Sequence, residues 1–330
     1  MQRDDYQQPE CNVFPMTEPF LHHVVCADAN GSHRMAYWQW GEASSDHVVL
    51  CVHGLTRQGR DFDMLAQALL QANGQLRVIC PDVVGRGESD WLTDPTGYQL
   101  AQYASDMLTL LAALHAEHPV RTLDYVGTSM GGLIGVVLAG RGDLPLPVPI
   151  RRIVINDVGP ALSVAGLQRI AGYVGANGRY ASLAEAADAL WALSTTFGPH
   201  TPAQWLELSR HMVVPAAQRS VDGAVKLEAP EAPATPLALH YDPAIATPFR
   251  SITAEGAAQA EAATWALYDR IGAAVLLTRG AQSDLLSPDT ASAMTSRGPR
   301  ARLVEFDGVG HAPTFVDPAQ SAVVVGFLLD

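Results

Sequence analysis

Ser129 stands in Gly127-Thr128-Ser129-Met130-Gly131, with the β-rich run "LDYVG" before it and the glycine-studded apolar run "MGGLIGVVLAG" after it. Glycines on both sides let a strand turn sharply into a helix, which lifts the hydroxyl beside the N–H groups of the first helical turn. A serine hydroxyl is a weak nucleophile, so it needs a histidine to take its proton and a carboxylate to orient that histidine. Two later strand ends offer them: "LLTRGAQSDLLSP" places Asp284 beyond one run and "VEFDGVGHAP" places His311 beyond the next. The expected constellation is therefore Ser129, His311 and Asp284. Asp157, in "VINDVGP", also ends a strand-like run, but ahead of Gly159 and Pro160 it reads as a turn residue and Asp284 is preferred.

Attack on a carbonyl also needs donors for the developing oxyanion. One is the backbone N–H of Met130, next after the serine. The other is expected from Leu55, where "VVLCVHGLTRQG" ends a strand in His53-Gly54-Leu55, with His53 itself structural. Arg57 and Arg60 follow; a plain surface role suits both, and Arg57 is the candidate for a bidentate grip on a substrate carboxylate. Further on, Leu167, Ile170, Tyr173, Trp191, Phe197, Trp205 and Met212 form an apolar set. Most of it is expected to pack internally, with Trp191 and Trp205 the candidates for a pocket wall. "PDVVGRGESD" reads as a hydrogen-bonded structural turn built on Asp82, Arg86 and Ser89. It is not a dinucleotide loop, since Asp90 fills the place of the last glycine. No run of His, Cys and carboxylates has metal-ligand spacing, so no metal is expected.

The elements that must carry these residues are legible as alternation. "HVVLCVHG", "LRVICPD", "RTLDYVG", "RRIVIND", "AAVLLTRG" and "ARLVEFDG" are short β-rich runs, mostly separated by segments of helical composition. That pattern implies an α/β fold with a doubly wound, mostly parallel sheet. The earlier runs "FLHHVVCA" and "HRMAYWQWG" are close enough to pair as an antiparallel meander at one edge, turning at "NGSH". Between "INDVGP" and "AAVLLTRG" the chain is too long for one crossover, so a helical insertion is expected. Ser182-x-x-Glu185 and Thr201-Pro202-x-Gln204 match capping boxes there, and "LEAPEAPATPLAL" reads as an extended loop.

With 330 residues, 48% of them hydrophobic, the chain can bury a large core. Its 34 acidic against 21 basic side chains, with no Lys/Arg cluster, argue against a nucleic-acid or anionic-membrane partner. A small-molecule ligand fits better, on a monomer or homodimer. Cys11, Cys26, Cys51 and Cys80 are read as reduced. "MQRDDYQQPECNVFP" lacks the pattern of a signal peptide and no apolar run is long enough to span a bilayer, so a cytoplasmic location is expected.

"HGL", "DVVGRGESD", "GTSMGG", "GAQSDLLSP" and "GVGHAP", in that order and at those strand ends, make the chain resemble the α/β-hydrolase superfamily, in its branch of cofactor-free serine hydrolases with a helical cap. The resemblance covers nearly the whole chain from about residue 20. It implies a sheet of eight strands, an N-terminal extension over 1–19, a core over 20–157 and 251–330, and a cap over 158–250. For mechanism it implies Ser129 as nucleophile, His311 as base and acid, Asp284 as orienting carboxylate, and Leu55 and Met130 as oxyanion donors. The expected activity is hydrolysis of small or medium carboxylic esters or lactones through an acyl-enzyme. A C–C hydrolase of vinylogous diketones is the runner-up, and a catalytically silent ligand-binding member is a third possibility.

Overall fold

The computed structural model describes residues 18–216, 235–248 and 253–330. The 1–17 segment with Cys11, and most of the Ala/Pro-rich run, lie outside the described residues. Eight strands form one sheet: β1 (Phe20–Asp28), β2 (Gly31–Gly41), β3 (His47–Val52), β4 (Arg77–Pro81), β5 (Thr122–Thr128), β6 (Ile150–Asn156), β10 (Ala274–Gly280) and β11 (Arg302–Phe306). Their order is β1-β2-β4-β3-β5-β6-β10-β11. From β4 to β11 all pairs are parallel, while β1–β2 and β2–β4 are antiparallel. The expected edge meander is present, turning tightly at Ala29-Asn30 so that Asp28 pairs with Gly31.

The central strands carry apolar residues on both faces because both faces are covered. Val48, Leu50 and Val52 of β3 join one cluster with Leu110 and Leu111 of α2 (Leu100–Glu117) and Ile134 of α3 (Met130–Gly140). Val49 and Cys51, on the opposite face, join Leu65 and Leu69 of α1 (Asp63–Ala72) and Val324 and Leu328 of α9 (Pro318–Leu329). This two-residue alternation of side-chain direction packs helices on both faces of the sheet. Cys26, Cys51 and Cys80 are buried and free, and burial pushes the Cys26 thiol up to about 12.

Between β6 and β10 lie α4 (Val164–Ala171), α5 (Leu183–Ser194), α6 (Pro202–Arg210) and three short strands, β7 (Arg179–Tyr180), β8 (Val213–Pro215) and β9 (Leu237–Leu239), followed by α7 (Ala254–Tyr268). The segment was expected to be helical, but the three strands form a small antiparallel sheet in the order β7-β9-β8. The end of the run read as an extended loop supplies its middle strand. Thr201 and Gln204 make a reciprocal capping box on α6. Ser182 accepts the Glu185 N–H as expected, but the Glu185 carboxylate reaches back to the N–H of Ala181. α8 (Pro288–Ser296) precedes β11. No helix among the described residues is long and apolar enough to cross a membrane.

Candidate active site

Ser129 joins β5 to α3 with φ 52° and ψ −114°, a backbone that a side chain rarely adopts. Two glycines make this turn possible. A Cβ on Gly131 would lie 2.0 Å from the Val52 carbonyl oxygen, and one on Gly127 would lie 2.4 Å from that of Gly131. The helix thus starts hard against the ends of β3 and β5, and the Ser129 N–H donates to the Asn156 carbonyl at 2.9 Å.

His311 follows β11 and is buried. The Ser129 hydroxyl donates to its Nε2 at 3.0 Å, and its Nδ1–H donates to Asp157 Oδ2 at 2.8 Å. The carboxylate on His311 is therefore Asp157, not Asp284, which corrects the expectation from the sequence. Asp157 is fully buried at the end of β6 with φ 54°. Its Oδ1 accepts the Gly280 N–H at 2.9 Å and its Oδ2 the Ser283 hydroxyl at 2.7 Å. The loop after β10 thus supplies donors to the carboxylate on β6. Asp284 instead receives both Nε (2.5 Å) and Nη2 (2.8 Å) of Arg169 on α4, and the Arg169 hydrogen bonds hold its carboxyl below the usual range.

Asn156, which the sequence reading missed, ties the strand ends together. Its amide donates to Thr128 Oγ1 and to the Pro313 carbonyl, and its Oδ1 accepts the Thr278 hydroxyl. The only signal in the sequence was an Asn-Asp pair closing the apolar run "IVIND".

Gly54 packs against the serine: a Cβ there would lie 3.7 Å from Ser129 Cβ and 3.8 Å from Arg57 Cγ. Leu55 and Met130, the expected oxyanion residues, thus follow the two residues in that contact. His53 is wholly buried, with Nδ1–H donating to the Gly54 carbonyl at 2.7 Å and Nε2 accepting the Val83 N–H at 2.9 Å. Burial, reinforced by the charges of Arg86 and Arg57, pushes its pKa down to about 3, so it stays neutral and structural.

A small cleft opens beside this turn, lined among others by Gly54, Arg57, Thr128, Phe197, Leu208 and Pro313. Arg57 lines it as expected of a binding residue, but two of its nitrogens hold Asp61 at 2.6 and 2.7 Å and Nη2 also donates to the Leu208 carbonyl at 3.1 Å. The surface role first given to Arg57 and Arg60 is corrected, since both are buried, Arg60 between Asp63, Glu18 and the rings of Trp38 and Trp40. Trp205 is not on the cleft; its ring is buried and its Nε1–H donates to the Ala187 carbonyl, joining α6 to α5. Trp191 lies edge-on to Trp205 and His200 and is likewise not a lining residue. From the segment after α5, Thr196 grips the histidine loop: its hydroxyl donates to the His311 carbonyl and its own carbonyl accepts the Gly310 N–H.

Far from the serine, Cys26, His33 and Asp106 bring one potential metal-ligand atom each within 4.8 Å of one another, a grouping invisible in their spacing along the chain. Each is already bonded within the protein. His33 Nδ1 meets Asp28 at 3.0 Å, its Nε2 meets Asp106 at 3.1 Å, and the Cys26 thiol faces the Asp106 carbonyl.

Comparison with known proteins agrees with this architecture. The family described as alpha/beta hydrolase fold matches residues 47–318. A 3-hydroxybutyrate-oligomer hydrolase of Cupriavidus necator is 47% identical over 309 residues, covering 94% of this chain and 97% of the relative. An alpha/beta hydrolase from Novosphingobium aromaticivorans superposes with a TM-score of 0.75 at 34% identity, covering 95% of this chain and 99% of that one. An esterase from Mycobacterium tuberculosis shares the fold at 20% identity, with a TM-score of 0.62 over 94% of this chain and 92% of that one.

Proposed function

From the premise that the chain belongs to the alpha/beta hydrolase fold family, we propose that it is a serine ester hydrolase whose substrates are short linear oligoesters of a hydroxy acid such as 3-hydroxybutyrate. The observation that carries the chemistry is the bonded chain Ser129–His311–Asp157. The likeness to an oligomer hydrolase over almost all of both chains supports the substrate class.

In this reading the Ser129 Oγ bonds to the ester carbonyl carbon, the carbonyl π pair moves onto oxygen, and the serine proton passes to His311 Nε2. Asp157 keeps Nδ1 protonated and balances the imidazolium. The N–H groups of Leu55 and Met130 receive the oxyanion. Re-formation of the carbonyl breaks the bond to the alcohol oxygen, which takes the proton from Nε2 and leaves as the shortened oligomer. Water then repeats the sequence on the acyl-enzyme and frees Ser129. The described residues between 158 and 248 act as a cap over this chemistry, a role supported by the grip of Thr196 on the histidine loop and by the bond from Arg57 to Leu208.

The test is incubation of the native protein and Ser129→Ala with dimer and trimer of 3-hydroxybutyrate, with monomer release followed by chromatography. The native protein should release monomer, and the variant should fall by about 10⁶-fold in kcat. An intact native protein that leaves both oligomers uncut but cleaves p-nitrophenyl butyrate would retire the oligomer reading and keep the esterase one.

A further inference from the structure

We infer that Arg86 is a positioning residue for the oxyanion hole, a buried cation that holds both of its members in place and adds positive potential behind them. This rests on the reading of Leu55 and Met130 as oxyanion donors.

Arg86 is fully buried. Its Nε donates to the Leu55 carbonyl at 2.8 Å, and its Nη2 reaches the Met130 Sδ at 3.6 Å. One guanidinium therefore touches the two residues, 75 positions apart in the chain, whose N–H groups must converge on the same oxygen. The remaining contacts anchor the fork: Nη1 donates to the Val84 carbonyl at 2.7 Å and to the Tyr103 hydroxyl at 3.0 Å. The rings of Tyr98 and Tyr103 lie 5.6 and 5.0 Å from its Cζ. Gly85 and Gly87, with φ of 83° and 52°, carry the turn that drives the side chain inward.

What these partners lack is a negative charge. Among the described residues Arg86 has no ion pair, whereas buried Arg57 and Arg60 are each neutralised by an aspartate. The nearby acids are engaged elsewhere: Asp82 accepts the N–H groups of Gly59, Glu88 and the Trp38 indole, and Asp242 accepts the Tyr98 hydroxyl. A guanidinium carries a fixed charge, and an uncompensated one away from water is costly. The Arg86 charge lies near the Leu55 loop, being among the causes that, after burial, depress His53 two residues before Leu55. The state that regains this cost is one in which negative charge grows on the substrate oxygen. Planar substrate gains far less, so the contribution falls on the transition state.

The test uses Arg86→Met, Arg86→Lys and Tyr103→Phe, with steady-state hydrolysis of p-nitrophenyl butyrate and inhibition by butylboronic acid, whose tetrahedral adduct with Ser129 places a hydroxyl in the oxyanion position. For Arg86→Met we expect kcat to fall about 10- to 100-fold with KM within about threefold, and boronate affinity to fall by the same factor as kcat. Arg86→Lys, which restores charge without the fork, should recover part of both. Tyr103→Phe, which removes only an anchor, should stay within about twofold of the native protein. The inference is overturned if Arg86→Met keeps native kcat, or if KM rises as much as kcat falls while boronate affinity holds, the pattern of a mere brace. Should Arg86→Met not fold, Arg86→Lys decides alone: boronate affinity and kcat must drop together at constant KM. Loss of boronate binding in Ser129→Ala is the control for the underlying site; if it binds and turns over normally, the proposed function fails, independently of Arg86.

Discussion

Asp157 and Asp284 are both aspartates just past strand ends, and what separates them is the set of donors around their oxygens. Asp157 receives His311, Gly280 and Ser283 in a site closed to water, while Asp284 is spent on Arg169. Asp157→Asn would present an amide to Nδ1 and favour the wrong imidazole tautomer. Its kcat should fall on the order of 10⁴-fold, whereas Asp284→Asn should lose less than about tenfold, a comparison that two rate measurements settle. A large loss in Asp284→Asn with a small one in Asp157→Asn would restore the assignment made from the sequence. That Ser129 and His311 meet was legible, because a glycine-framed turn and a chain order single them out. The carboxylate that meets His311 was not, because the choice turns on the left-handed backbone at Asp157, a conformation aspartate tolerates and no spacing announces.

At the scale of elements, the sheet was legible because period-2 and continuous apolar runs are long enough to read, and the edge meander because its two halves sit beside a turn. β7 and β9 were not, since strands of two and three residues carry no period and form only because their backbone finds partners within the insertion. The turn that carries Ser129 depends on its glycines more than on any polar contact. Gly131→Ala places a methyl against the carbonyl of Val52, which cannot retreat without breaking β3 from its neighbours. Its urea midpoint should report a loss of about 3 kcal/mol or more. Gly142→Ala meets nothing within 4 Å and should remain within about 0.5 kcal/mol of the native protein. Equal midpoints for the two variants would mean that the start of α3 yields easily and is not the rigid support proposed for the nucleophile.

Across the whole molecule, the sheet is anchored at its meander edge by a buried charged network. His33 on β2 lies between Asp28 at the end of β1 and Asp106 on α2, and Gln102 adds a bond to Asp106. Burial pulls the His33 pKa down, but the hydrogen bonds and charges of Asp106 and Asp28 outweigh it, and the net shift is upward from 6.5. Asp28 is shifted down from 3.8: burial opposes ionisation, but the His33 and backbone bonds prevail. A raised histidine stabilises the fold fully below its unfolded pKa and loses that contribution as pH climbs through the folded value; the lowered Asp28 loses its part only in acid. The network is therefore strongest between about pH 4 and 6.5. His33→Gln should cost about 1–3 kcal/mol near pH 5.5, and the gap from the native protein should narrow toward pH 8.5, measured as urea midpoints at both values. The opposite slope would mean that His33 is neutral in the fold and that Asp106 and Asp28 repel across it. Because β4 and β3 separate this edge from β5, which carries Ser129, the variant should retain native kcat wherever it is folded, separating the stability of the sheet's edge from the chemistry at the ends of its central strands.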